Sequence, residues 1–441
     1  VERARRGAEL VDRASRVRVF CHYDPDGTTS AAILARALLR RGKRFHATMA
    51  HAFDAASRDR LRAEDNELLL VSDMGSSQLD LLESLPGPTV VLDHHKPPRD
   101  SEAVVHVNAH LFGVDGARGL CGATTTWLFA LALDDVNWDL AGIAMAGAIG
   151  DKQDVGGFTG PNAALFREAV GRGLLKPERR LALPDAPLGK ALGRSTSPYF
   201  RGLSGRPEEA ASFLRTAGFD PDASLREIEA GERQRLASVL MTRLLAQDAA
   251  PEALDVLVED RYWSEPDQVY ANELEAYVNS CDRLEQEGLG MAVCLGDRDA
   301  LSKAEALRDT YTSRILGYLT NLESEGLFPK KHVQVFYCEE PTLAGSIAGT
   351  GMQFCFDQAK ATLGLSVMDG LTKVSARGTR TLIEAGVDLA AALRDAAKAV
   401  GGTGGGHDIA SGATIPKGKE ERFVALVDEA VGRQIAARTP Q

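Results

Sequence analysis

Four clusters of carboxylates and histidines stand where apolar runs end. His22-Tyr23-Asp24-Pro25-Asp26-Gly27 follows VRVFC, Asp73 ends ELLLVS, Asp93-His94-His95 ends TVVL, and Asp151 ends the apolar run Leu140–Ile149. In open parallel sheets ligands bind outside the carboxyl ends of the strands, so these four loops could meet in one crevice. Converging carboxylates repel one another and must protonate, stay apart or share cations. Mixed aspartate oxygens and histidine nitrogens suit Mn²⁺ better than Ca²⁺ or a thiolate-bound metal. Two ions sharing a carboxylate would activate water for in-line attack on a phosphate. The pattern points to a two-metal phosphoesterase. A plainer reading stands beside it for each cluster taken alone. Asp73 and Asp151 could be turn residues, and Asp26-Gly27-Thr28 would serve well as a turn into a helix. Adjacent histidines after an apolar strand are harder to explain as packing, since a buried histidine normally needs only one partner. Asp154 reads as a loop or cap residue.

These clusters need a scaffold of alternating elements. The β-rich runs Val17–His22, Glu67–Ser72, Thr89–Leu92 and Ala103–Val107 alternate with helical patterns at Thr29–Arg41, Thr124–Leu133 and Leu140–Ile149. Strands alternating with helices imply a parallel sheet covered on both faces. The fold class expected is therefore α/β. Residues 1–180 form a parallel-sheet catalytic domain, 181–250 a Pro- and Gly-marked linker with a charged helical insertion at Pro207–Leu245, and 251–441 a smaller α/β domain. Within the last segment, strands are expected at Leu254–Val258, Met291–Leu295, His332–Tyr337, Ala361–Val367 and Thr372–Ala376, with helices at Ala300–Leu322 and Glu420–Arg438.

The glycine run Gly401–Gly406 has its own chemistry. Consecutive glycines let backbone N–H groups approach a phosphate, and His407 can add a hydrogen bond or a positive charge. Arg377 can contact a phosphate with two parallel bonds. A glycine run is also often only a flexible loop. No G-x-x-x-x-G-K-[ST] is present, which excludes a P-loop nucleotide hydrolase. Aromatic residues make up 6% of the chain, so no base-stacking platform stands out, and Tyr23, Tyr199, Phe200, Trp263, Tyr270 and Tyr277 read as packing before stacking. The basic residues Arg36, Arg40, Arg41, Lys43 and Arg44 read as a solvated helix end.

In sequence, HYDPDG, VSDMGSS, Asp93-His94-His95 and GAIGDKQD resemble the four motifs of the DHH phosphoesterase superfamily. Ser375-Ala376-Arg377-Gly378 and Gly404-Gly405-Gly406-His407-Asp408 resemble its associated substrate-binding domain. The middle run from Asn279 to Asp297 looks like archaeal RecJ-like single-strand nucleases of the GINS-associated type, with Asp282 where glycine is expected. The resemblance implies that His22, Asp24 and Asp73 hold one metal, and that Asp26, Asp73, His94 and Asp151 hold the other. Asp73 would bridge, Asp93 would orient a neighbouring histidine, and His95 would face the scissile phosphate. Arg377, Gly404, Gly405, Gly406 and His407 would bind substrate phosphate. The cofactor implied is a pair of Mn²⁺ ions, with Mg²⁺ as the alternative.

The chain has 441 residues, 44% of them hydrophobic and 26% charged, too apolar for disorder and with no stretch approaching a membrane span. Its N-terminus lacks the apolar core of a secretory signal, and its six cysteines show no disulfide-scaffold spacing, so a reduced cytoplasm is expected. The net charge of -11 allows nucleic acid only through a local basic groove. The function the resemblance implies is a metal-dependent exonuclease on single-stranded nucleic acid, releasing 5′-mononucleotides, 5′→3′ on DNA, in replication or repair. The GINS replication complex is the partner it suggests. Two other classes remain: a phosphodiesterase or phosphatase for short oligonucleotides or cyclic dinucleotides, and a non-catalytic replication scaffold. The full set of ligand types argues against the scaffold.

Overall fold

The computed structural model describes residues 1–225 and 227–438; Arg226, inside the expected helical stretch, and the last three residues of the expected third segment lie outside the described residues. Along the chain come α1 (Glu2–Arg13), β1 (Arg16–His22), α2 (Pro25–Arg40), β2 (Arg44–Ala50), α3 (Ala55–Ala63), β3 (Leu68–Ser72), α4 (Leu79–Glu83), β4 (Thr89–Asp93) and β5 (Val105–Asn108). Helices α5 (Gly122–Leu133), α6 (Ala141–Gly150) and α7 (Gly160–Gly171) lead to β6 (Leu175–Leu181). Then follow α8 (Leu188–Gly193), α9 (Pro207–Thr216), α10 (Ala230–Ala246), β7 (Val258–Ser264), β8 (Val269–Tyr270), α11 (Ala271–Arg283), α12 (Glu287–Cys294) and α13 (Arg298–Glu325). The remainder is β9 (Phe328–Pro329), β10 (Val333–Tyr337), α14 (Pro341–Phe354), β11 (Ala361–Val367), β12 (Leu371–Arg377), α15 (Arg380–Glu384), α16 (Leu389–Ala399), β13 (Thr403–Gly406), β14 (Ala410–Pro416) and α17 (Glu420–Arg438).

The first sheet has the order β2-β1-β3-β4-β5, and every neighbouring pair is parallel. Both faces are covered. Val17, Val19 and Cys21 of β1 pack into one core with Ile33, Leu34, Trp127 and Ile143, while Phe20 packs into the other with Phe53, Leu61 and Val71. Such double burial explains why β3 and β4 are continuous apolar runs with no alternation. Strand β2 gives no signal in the sequence because it is a half-exposed edge strand, RFHATMA, lacking an apolar run. The basic residues before it are paired with acids: Arg36 with Asp267, Arg40 with Asp139 and Arg41 with Asp12.

The chain divides into two compact units rather than three consecutive segments. Val1–Arg179 joins Asp260–Asp309, and Arg180–Glu259 joins the chain from Thr310 onward. Burial supplies the reason. Tyr262, Leu274, Val278 and Cys281 lie in the core of the first unit, so the expected boundary at 250/251 cuts too early. Tyr199, Phe200, Leu236, Leu240 and Leu244 lie in the core of the second, so 181–250 is packed structure and no linker. This burial also removes Tyr199 and Phe200 as stacking candidates.

The second unit holds a mixed sheet, β13-β14-β12-β11-β10-β9, with β10 and β11 parallel and the other pairs antiparallel. Two expected strands are corrected. Met291–Leu295 lies in helix α12 and the turn that ends it, a short apolar run that periodicity cannot assign. Leu254–Val258 is mostly a 3₁₀ turn that precedes β7. The glycine run is no flexible loop: Thr403–Gly406 pairs with β14 as an edge strand. A Cβ at Gly404 would stand 2.9 Å from the Leu393 carbonyl oxygen, so close approach of α16 demands glycine there.

Candidate metal centre

Parallel β1, β3 and β4 place their carboxyl ends along one edge, and the strand order reverses direction between β1 and β3, the point where such sheets hold ligands. His22 is the last residue of β1. Asp24 caps α2, its Oδ1 accepting from the Gly27 N–H at 3.1 Å. Asp26 falls in the first turn of α2, where the helix dipole favours an anion. Asp73 follows β3 in the left-handed region (φ +58°), which aspartate tolerates better than most residues. Asp93 ends β4. Asp151 caps the carboxyl end of α6, where the dipole opposes a negative charge.

These residues converge. His22 Nδ1 lies 3.0 Å from Asp24 Oδ1 and 3.4 Å from Asp73 Oδ2. His94 Nε2 lies 3.2 Å from Asp73 Oδ1, 3.4 Å from Asp151 Oδ2 and 3.7 Å from Asp26 Oδ2. The two oxygens of Asp73 therefore serve two separate groups, His22 with Asp24 and His94 with Asp26 and Asp151. Within each of the sets His22–Asp24–Asp73 and Asp26–His94–Asp151, the ligand atoms lie within 4.8 Å of one another.

The charges are in tension without cations. Burial and the neighbouring Asp73 and Asp151 push the Asp26 carboxyl well above its usual range. Burial raises Asp151 to about 7 against the pull of His94. Burial works against a charged imidazole at His22, yet Asp24 and Asp73 lift it to about 11, and Asp73 and Asp151 lift His94 well above its usual value despite its burial. Asp73 is held low, with His22 and His94 overcoming its burial. The surrounding carboxylates thus draw both histidines toward their charged forms where cations would otherwise balance the charge. Among the described residues, His22 Nδ1 is buried with no hydrogen-bond partner, although two carboxylates flank it. A nitrogen so placed fits a metal ligand, and the donor set of imidazole and carboxylate suits a divalent ion of the Mn²⁺ or Mg²⁺ kind. Metal binding near neutral pH must then expel protons, because ligands bind deprotonated. Calorimetry in buffers of different ionisation enthalpy should show release of about two protons or more per protein, with affinity rising as pH climbs from about 6.5 toward 11. No proton release would contradict the histidine assignments.

Other residues hold this cluster in place. His94 Nδ1 lies 2.8 Å from the Gly116 carbonyl oxygen, which leaves Nε2 facing the carboxylates. Asp93 Oδ1 accepts from the backbone N–H groups of His94 (2.8 Å) and His95 (3.1 Å) and lies 2.8 Å from His95 Nδ1. His95 outweighs burial and brings the Asp93 carboxyl down to about 2. The His95 ring remains half exposed. Asp93 Oδ2 accepts from Ser76 N, and the Ser76 hydroxyl meets His106 Nε2 (2.9 Å) and Asn108 Nδ2 (2.8 Å). Asp26 is fixed by the amino end of α5, accepting from Gly122 N at 2.6 Å and Ala123 N at 2.8 Å. Sequence reasoning misses Ser76, His106, Asn108, Gly116 and Gly122, because each acts through a contact distant along the chain. Asp282 is buried on α11, where its carboxylate accepts from the Thr28 hydroxyl at 3.2 Å, tying α11 to α2.

The candidate phosphate binders meet in the second unit. Arg377 ends β12 and pairs across the sheet with Ala410, whose carbonyl oxygen accepts from the His407 N–H at 2.9 Å. One corner of the sheet therefore carries Arg377, Gly406 and exposed His407.

Residues 16–148 match the DHH family, N-terminal domain, and residues 332–433 match the DHHA1 domain. The chain is 29% identical over 438 residues to an uncharacterized protein of Methanocaldococcus jannaschii, covering 97% of this chain and 96% of that protein. It is 28% identical over 277 residues to the single-stranded-DNA-specific exonuclease RecJ of Thermus thermophilus, covering 57% of this chain and 40% of that protein. A crystal structure of RecJ in complex with Mn²⁺ from Thermus thermophilus shares the fold at TM-score 0.61 and 19% identity, over 98% of this chain and 55% of that one. This chain thus spans about half the length of that relative. The structure of CDC45 from Entamoeba histolytica shares the fold at TM-score 0.66 and 10% identity, over 97% of each chain.

Proposed function

We propose that this chain, whose residues 16–148 and 332–433 match the DHH and DHHA1 domains of a phosphoesterase superfamily, is a metal-dependent exonuclease on single-stranded nucleic acid, releasing 5′-mononucleotides, 5′→3′ on DNA. The observation that carries the reading is Asp73, whose two oxygens face two separate ligand groups. His22, Asp24 and Asp73 would hold one divalent ion, and Asp26, Asp73, His94 and Asp151 the other. When bound, such a pair lowers the pKa of water and stabilises both the attacking and leaving oxygens of an in-line displacement at phosphorus. Asp93 orients His95, whose half-exposed ring then offers a proton or a positive charge at the scissile phosphate. Likeness to the single-stranded-DNA-specific exonuclease RecJ supports a single-strand substrate, and the RecJ-like run from Asn279 to Asp297 is the basis for proposing replication or repair, with the GINS complex as partner. The complete ligand set speaks against a purely structural role. No helix among the described residues is long and apolar enough to cross a membrane.

Digestion of a single strand labelled at either end, beside a circular strand and a blunt duplex, tests this. Mn²⁺-dependent loss of mononucleotides from the 5′ end of the linear strand alone is expected. Cutting of the circle would make the protein an endonuclease, release from the 3′ end would reverse the polarity, and cleavage confined to dinucleotides or cyclic dinucleotides would make it a small-substrate phosphodiesterase. Arg377→Ala and His407→Ala should each raise KM by roughly tenfold while leaving metal content intact, since each contacts phosphate alike in ground and transition states. Loss of metal from either variant would remove it from the phosphate-binding set.

A further inference from the structure

Strand β12 puts Lys373, Ser375 and Arg377 on one face of the second unit's sheet, because side chains two apart on a strand point the same way. Pairing extends each into a row. Ser375 lies opposite Gly412, and Gly412 opposite Gly405; Lys373 lies opposite Thr414, and Thr414 opposite Thr403. Lys373, Ser375, Thr403, Gly412 and Thr414 line an open pocket of about 460 Å³, closed at one side by Pro341, the first residue of α14. Three features suit it to phosphate. Among the described residues, a Cβ at Gly405 would meet nothing within 4 Å, and one at Gly412 would touch only the Val374 carbonyl oxygen, so the floor is bare backbone that a ligand can approach closely. Lys373 is exposed and makes no ion pair among the described residues. The amino end of α14 adds the positive end of its dipole, and Glu340 beside it is engaged by Arg314. Lys373 and Arg377 stand four residues apart on one strand, roughly 13 Å. That is about two nucleotide steps of an extended single strand.

We propose that this face is a second phosphate subsite, in which Lys373, Thr414 and Thr403 hold the backbone of a single-stranded nucleic acid beyond the phosphate served by Arg377. The proposal rests on the single-strand reading above. Lys373, with Arg377 further along the strand, supplies local positive charge of the kind an acidic chain needs for a polyanion. The glycine floor and hydroxyl walls contact backbone and offer no aromatic platform, so binding here should be indifferent to base identity.

The test is fluorescence anisotropy of labelled oligothymidylates, a dinucleotide and a twelve-mer, titrated with the intact protein in chelator across a salt series. The parent should bind the twelve-mer more tightly than the dinucleotide, with log Kd rising linearly in log salt. Lys373→Ala should weaken twelve-mer binding roughly three- to tenfold and lower the salt slope by about 0.7, the loss of one phosphate contact. Lys373→Glu should weaken it further, and Lys373→Arg should restore both quantities. Parent-like affinity and slope in Lys373→Ala and Lys373→Glu, with the parent still favouring the longer strand, would overturn the subsite alone. A parent that binds both lengths equally would overturn the single-strand reading and the subsite with it.

Discussion

Asp73→Asn is expected to lower turnover by about 10³-fold or more, beyond the roughly 10–100-fold typical of removing a group that only orients a ligand. Asp73 Oδ2 faces His22 and Oδ1 faces His94, so its carboxylate lies between the two ligand groups. An asparagine there would leave each ligand group without a carboxylate oxygen that offers a full negative charge to a divalent ion. Asparagine is the right replacement because the backbone there has φ +58°, a conformation asparagine adopts readily and alanine does not. The charge is then tested apart from the strain. Metal content by elemental analysis should fall to one ion or fewer, while circular dichroism stays that of the parent. Two ions retained at parental turnover would remove Asp73 from the bridging position.

A single methyl group at Gly122 should do nearly as much. Its Cβ would stand 2.6 Å from Asp73 Cβ and 2.8 Å from both Asp26 Oδ2 and Asp73 Oδ1, well inside contact distance. Gly122 opens α5, and its N–H holds Asp26 Oδ2 at 2.6 Å, so helix and carboxylate cannot both stay where they are. Gly122→Ala should cost about 1–3 kcal/mol of stability through overpacking. Metal affinity and turnover should fall by about 100-fold or more as the two carboxylates are prised apart, since misplacement by about 1 Å costs that much. Gly317→Ala is the control: it lies exposed in the middle of α13 with nothing among the described residues within 4 Å of its Cβ, and alanine there should leave activity alone and stabilise the helix by about 0.5–1 kcal/mol. A Gly122→Ala protein with parental metal affinity would mean that the Asp26–Asp73 spacing matters little.

The residue types of the site and their order are legible in the amino-acid sequence. His22, Asp24, Asp73, Asp93, His94 and Asp151 each sit at the end of an apolar run, and runs and their ends are local features written in consecutive residues. Parallel strands follow from the alternation of those runs with helices, and β11 and α17 match their expected bounds for the same reason. Other features have no local signature. Half-exposed β2 lacks an apolar run, and α12 is too short for its period to show. The glycines before His407 have the composition of a loop, and only pairing with β14 makes them an edge strand. Residues 260–309 join the first unit because their apolar faces are buried there, a fact about distant partners and not about neighbours in sequence. The same holds inside the site. That Asp73 turns one oxygen to His22 and the other to His94 depends on the placing of β1 beside β3 and β3 beside β4, and on a left-handed backbone at one residue. Ser76, His106 and Asn108 become supports of Asp93 only when β4 and β5 come into register. Residue identity alone determined which atoms could bind a cation, because donor chemistry belongs to the side chain. Only the tertiary structure decided which of them lie close enough to share one, because distances across a sheet depend on strand order and register.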